Sequence, residues 1–160
     1  MTELTPYRTP DEAVRSQARD LLAHGHFASL AVLCPETGLP SISRIALATD
    51  ETGNPVTLIS TLAEHSRALC ANPNCALLVG EPAEKGDPLT HPRLTLHVIA
   101  RPVHRCMTGY TELRERYLVL RPKAKLYIDF ADFNFVRFII QDGLLNGGFG
   151  KAYRLTTQDF

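Results

Sequence analysis

The chain has 160 residues and a mass of 17.7 kDa, enough for one well-filled domain spanning 1–160 and too short for two. Seventeen Lys and Arg balance seventeen Asp and Glu, and mean hydropathy is -0.08. That balance excludes the basic surface of a nucleic-acid binder or an acidic-membrane binder, and no apolar run reaches the ~20 residues of a membrane span. The polar, acidic start MTELTPYRTPDE is neither a signal peptide nor a transit peptide. The four cysteines, Cys34, Cys70, Cys75 and Cys106, form no C-x-x-C pair and match no zinc spacing. Reduced thiols and a cytoplasmic location are therefore expected.

Thr9-Pro10-Asp11-Glu12 reads as a capping box, with Thr9 as N-cap, opening a helix whose apolar face is Val14, Ala18, Leu21 and Leu22. Gly25 stops it. Phe27 to Leu33 is a short apolar run, which predicts a buried strand. The turns Cys34–Pro40 and Asp50–Pro55 join it to strands over Ser41–Thr49 and Val56–Ser60, giving an antiparallel meander. Thr61-Leu-Ala-Glu64 is a second capping-box pattern, and the helix it opens ends near Asn72-Pro73. Strands are expected over Cys75–Gly80, Arg93–Arg101, Phe133–Gln141 and Lys151–Leu155. Helices are expected over Tyr110–Leu120 and, briefly, Lys123–Tyr127. About six strands with interspersed helices point to an α+β class, a small antiparallel barrel with helices outside it.

Period-2 alternation puts Arg44 on one face of its strand with Ile42, Ala46 and Ala48, and Ile45 and Leu47 on the other. Ser60 and Thr61 stand where the next helix begins, and Ser66 and Arg67 follow in its first turns. A helix start offers free N–H groups and partial positive charge, so hydroxyls and two guanidiniums there suit a phosphate. The alternative is plain: Arg44 and Arg67 as surface ion-pair partners, Ser60 or Thr61 as a cap. Gly147-Gly-Phe-Gly-Lys151 fails the P-loop pattern, because Leu145 and Ala152 stand at required positions. It reads as a tight turn, with Phe149 a candidate for stacking on a ring. His24 and His26 lack a second metal-ligand pair, His91 and His97 read as exposed, and Cys34-Pro35 reads as part of a turn. His65 lies beside the phosphate cluster and suits either a proton donor near neutral pH or a helix-surface histidine that hydrogen-bonds the phosphate or water.

The order of ISRIALATD, GNPVTLIST, His65-Ser66-Arg67-Ala-Leu, Asp87-Pro88-Leu89, Pro92-Arg93-Leu94-Thr95-Leu96 and Gly147-Gly148-Phe149-Gly150 resembles the FMN-binding split-barrel proteins related to pyridoxamine 5′-phosphate oxidase. Within them it is most similar to the HugZ/HutZ-like haem-utilisation branch. The resemblance implies a homodimer with FMN at the subunit interface and a small-molecule substrate. It implies that Arg44, Ser66 and Arg67 hold the phosphate, that Ile45, Ala46 and Leu47 line the flavin, and that Ser60 and Thr61 approach it. His65 would be the catalytic candidate, oriented by Asp132 of a second chain. Two departures limit it. No Arg-x-His follows position 104, so vitamin B6 oxidation is not implied, and the last histidine is His104, so the haem branch's C-terminal ligand is missing. Haem-binding or haem-degrading activity, a non-catalytic flavin protein, and F420 in place of FMN remain as alternatives. No nicotinamide fingerprint is present, so a nicotinamide donor would bind only transiently over the flavin.

Overall fold

A computed structural model describes residues 6–160. Helix α1 (Glu12–His24) begins two residues later than the capping box suggested. Asp11 is its N-cap, accepting the Val14 N–H at 2.9 Å, in keeping with the high rank of Asp at that position. The strands are β1 (Phe27–Leu33), β2 (Pro40–Ala46), β3 (Ala48–Thr49), β4 (Pro55–Ser60), β5 (Asn74–Val79), β6 (Arg93–Val103), β7 (Phe133–Asn146) and β8 (Ala152–Thr156). Two further helices, α2 (Glu64–Ala71) and α3 (Tyr110–Leu120), and a helical turn Pro122–Leu126 complete the frame.

All eight strands form one antiparallel sheet in the order β2-β1-β5-β6-β7-β4-β3, with β8 also on β7. β2 and β3 lie at opposite ends of that order, yet Leu47 is the one residue between them. Successive Cα atoms are about 3.8 Å apart, so the sheet must curl until its two ends meet. The result is a split barrel, and it corrects the simple meander: β1–β2 and β3–β4 are hairpins on opposite edges, with no ladder between β2 and β4. Arg121 locks the crossing, donating to the carbonyls of Leu47 at 2.6 Å and Gly25 at 2.5 Å. β7 is longer than the pattern indicated. Its first half pairs β4 and its second half pairs β8, with a bulge at Gln141 opposite the His97–Val98 step of β6.

Alternation decides what is buried. Leu94, Leu96, Val98 and Ala100 of β6 point into the barrel, as their period predicts, and join Leu30, Leu77, Phe138 and Leu145 under α1 and α2. A second core, Val56, Leu58, Val103 and Phe135, is covered by Tyr110, Leu113 and Tyr117 of α3. At Gly143 a Cβ would stand 2.8 Å from Phe160 Cζ, so any larger residue there must push that ring aside. No helix among the described residues is long and apolar enough to cross a membrane.

The last turn is tied to α1 by Asp159, which accepts from Arg15 Nε at 2.7 Å and from the Thr156 N–H at 2.7 Å. The Arg15 hydrogen bond first, and the Thr156 N–H next, hold this carboxyl below the ordinary carboxylate range. A depressed folded value means the stabilisation is present above about pH 4 and is lost as pH falls through the folded value. Asp159→Asn should therefore melt below the native chain at pH 7, with the gap closing in thermal scans toward pH 3.

Candidate functional site

The site forms where the barrel ends meet. β2 brings Arg44, Ile45 and Ala46, and the facing end of β4 brings Leu58, Ile59 and Ser60. Together with Ala63, His65, Tyr127 and Phe133 they line a depression of about 260 Å³. Arg44 is exposed and its guanidinium stacks 5.1 Å from the Phe27 ring centroid. On the other side of the Ser60–Ser66 segment lies a second depression of about 530 Å³, lined by Pro35, Glu36, Thr61, Ser66, Arg67, Cys70 and Ala71. Five expected residues thus share the first depression (Arg44, Ile45, Ala46, Ser60, His65) and three share the second (Thr61, Ser66, Arg67). Within one chain the two arginines flank the start of α2 instead of lining a common pocket. Leu47 is fully buried and lines neither depression. Phe149 is exposed on the β7–β8 turn, which lies against Thr90 and Gln17, and it also lines neither.

The segment between the depressions is held from behind. Ser60 Oγ donates to the Asp132 carboxylate at 2.5 Å and accepts the Leu62 N–H, while the Thr61 N–H donates to the Asp132 carbonyl at 2.7 Å. Asp132, expected to orient His65 from a second chain, is thus engaged with Ser60 and Thr61 of its own. Ser66 Oγ donates to the Ser60 carbonyl at 2.6 Å. These bonds displace the capping reading of Thr61: the N-cap of α2 is Ala63, and no side chain caps the helix. The Ser66 and Arg67 N–H groups donate to the Ala63 carbonyl, and no side chain occupies the N–H groups ahead of them, which leaves the helix start open to an anion. The ion-pair reading holds for Arg67, which pairs with Glu36.

His65 is half-buried, and its Nε2 is enclosed without a hydrogen-bond partner. Burial pushes its pKa below the ordinary 6.5, against the smaller opposing pull of Glu64, so the ring is neutral at pH 7. A neutral imidazole with a free nitrogen can exchange one proton or ligate one metal ion. Tyr127 and Phe133, which the sequence reading did not place in the site, line the same depression with ring centroids 5.0 Å apart and tilted by 47°. Their aromatic character was visible, but nothing local in the sequence places both against Arg44. A larger groove of about 690 Å³ runs along α1 past Gln17, Asp20, His24 and Glu81. It holds none of the expected residues.

No protein-family model matches the chain. A solved heme binding protein from Mycobacterium smegmatis superposes with a TM-score of 0.79 and 27% identity, over 95% of this chain and 60% of that one. A structure from Clostridium acetobutylicum, related to general stress protein 26 and assigned to the pyridoxinephosphate oxidase family, has a TM-score of 0.70 at 15% identity, covering 94% and 99% of the two chains. It shows the same fold. The chain has the split-barrel fold of these structures. A curated relative, the chloroplastic heme oxygenase HOZ of Arabidopsis thaliana, is 39% identical over 100 residues, 62% of this chain and 29% of its own length. Two of these similar proteins bear haem-related names, in agreement with the resemblance to the haem-utilisation branch. The chain spans less than two thirds of the length of either.

Proposed function

We propose that the protein binds FMN between two copies of the chain and uses it in flavin-dependent oxidation or reduction of a small molecule. One observation carries this reading: the uncapped start of α2 lies between the Arg44 and Arg67 depressions. A phosphate ester brings about two negative charges and three acceptor oxygens, and this is a place with donors and cations on both sides. Either ring of the tilted Tyr127–Phe133 pair offers an aromatic face for a ring system beside it.

The first depression, at about 260 Å³, is smaller than the ~300–1,000 Å³ typical of a ligand site, so one chain supplies only part of the enclosure. The outer face of the sheet suits a second copy. Ile42 is 72% exposed and stands on the same face of β2 as Arg44, and Leu33 and Leu78 are also exposed there. Ala31, opposite Ile42, and Ala76, opposite Ala31, continue that face across the strands. A homodimer covering it would bury apolar area and close the Arg44 side of the site. The four free cysteines fit a cytoplasmic setting.

When bound, the flavin would supply the electron transfer. The chain's own residues would hold the phosphate through Arg44, Ser66 and Arg67, flank the ring with Tyr127 and Phe133, and supply neutral His65 for one proton once its ring turns Nε2 out of the enclosure.

A second reading, haem binding or haem degradation, is favoured by the haem-related relatives; His65, whose Nε2 is enclosed and unpartnered, would serve as an axial ligand only after its ring turned outward. Reconstitution with FMN and, separately, with haemin, followed by gel filtration and a visible spectrum, separates the readings. Retained flavin bands support the first. A Soret band with no retained flavin supports the second. Retained flavin without turnover by any electron donor indicates a non-catalytic flavin protein.

A further inference from the structure

Arg67 does not present an open guanidinium. It is paired with Glu36, which stands on the β1–β2 turn, and the other Glu36 oxygen accepts from the Cys34 thiol at 3.2 Å. Both Arg67 and Glu36 line the second depression with Thr61 and Ser66. The Cys34 hydrogen bond first, with Arg67 adding to it, keeps the Glu36 carboxyl below its ordinary range, so the anion is present at neutral pH. A carboxylate of the chain itself therefore stands where an anionic ligand would meet Arg67.

We infer that Glu36 is a specificity determinant of the anion site, occupying Arg67 until a dianionic phosphate ester displaces it and thereby barring monoanions. This rests on the phosphate placement proposed above. An entering carboxylate exchanges one unit charge for another at the same guanidinium and also loses its own freedom and hydration, so the exchange gains nothing. A phosphate ester carries close to twice the charge, and it meets the uncapped start of α2 as well as Arg67. The resident pair is weak enough to yield. Its side chains are 63% and 54% exposed, and exposed pairs contribute little because water and salt screen them. Once displaced, Glu36 moves into solvent from an exposed turn, with no core to disturb.

The test is a fluorescence titration of the full chain with FMN, with riboflavin as the phosphate-free probe, and with acetate and inorganic phosphate as competitors at fixed ionic strength. Glu36→Gln should bind FMN roughly threefold to tenfold more tightly, leave riboflavin unchanged, and let acetate compete where it does not in the native chain. Glu36→Ala should move the same way, which guards against a new hydrogen bond from Arg67 to the introduced amide in the first variant. The inference is overturned if neither variant tightens FMN, if riboflavin gains equally, or if acetate competes no better. Arg67→Ala separates the two layers. If the native chain binds FMN and Arg67→Ala binds it equally well, the phosphate placement fails and the role of Glu36 with it. If Arg67→Ala weakens FMN but neither Glu36 variant tightens it, only the role of Glu36 falls.

Discussion

Arg44→Ala should weaken FMN binding by roughly 10- to 100-fold while leaving the melting temperature unchanged. Its one described contact is stacking over Phe27, and the side chain is exposed, so the fold does not depend on it. A hydrogen-bonded contact to a charged group contributes about 1.5–3 kcal/mol, which sets the expected range. Arg44→Lys should recover only part of the loss, because an ammonium keeps the charge but not the two-pronged geometry. Arg67→Ala should cost less than Arg44→Ala, since Glu36 already neutralises part of the Arg67 charge. Titration of flavin fluorescence on each variant checks the ranking. Equal affinity for the native chain and Arg44→Ala would mean that the ligand does not use this end of β2.

The largest loss of stability is expected at Asp50. It is 2% exposed, and its carboxylate accepts from the Thr52 N–H at 2.9 Å, the Thr52 hydroxyl at 2.8 Å, the Asn54 N–H at 3.0 Å and Arg137 Nε at 2.6 Å. These bonds build the β3–β4 turn and pin it to β7, so one carboxylate joins the two sides of the barrel edge. Asp50→Ala leaves those donors without a partner and leaves the Arg137 guanidinium, 30% exposed, without its counter-charge. Removing one member of a buried pair costs about 3–5 kcal/mol, a fall of roughly 6–20 °C in melting temperature for a chain of this size. Asp50→Asn keeps one acceptor and should lose less. Urea melts with a common m-value provide the comparison. A change below about 1 kcal/mol for Asp50→Ala would show that the turn stands without its central carboxylate.

The parts of the fold legible in the sequence are those set by local periodicity. β1 is bounded as its apolar run predicts, α3 spans the expected Tyr110–Leu120, and β6 buries the expected face. A small antiparallel barrel was legible in the strand pattern, but its route of closure was not. It depends on Leu47 crossing between sheet edges, and the continuous alternation through Ser41–Thr49 hides the break. β7 was read as ending at Gln141 because Gln141, Asp142 and Gly143 interrupt the apolar pattern. A bulge and the Phe160 ring above Gly143 account for these residues, and neither leaves a local signal. In the site, hydroxyl and guanidinium chemistry pointed to the segment from Ser60 to Arg67, whereas Glu36, Tyr127 and Phe133 come from distant turns and strands. Only the folded chain brings them there. The capping reading of Thr61 failed for a related reason: Asp132, far along the sequence, takes the backbone of that turn.

A crystal structure of the protein grown with FMN tests the central claim most directly. The account predicts the ester phosphate at the start of α2, within hydrogen-bond distance of Arg44 or Arg67, with the ring system facing Tyr127 and Phe133 across a two-fold interface. FMN ordered elsewhere, for example along α1 beside Asp20 and His24, with the start of α2 free of ligand, would contradict it.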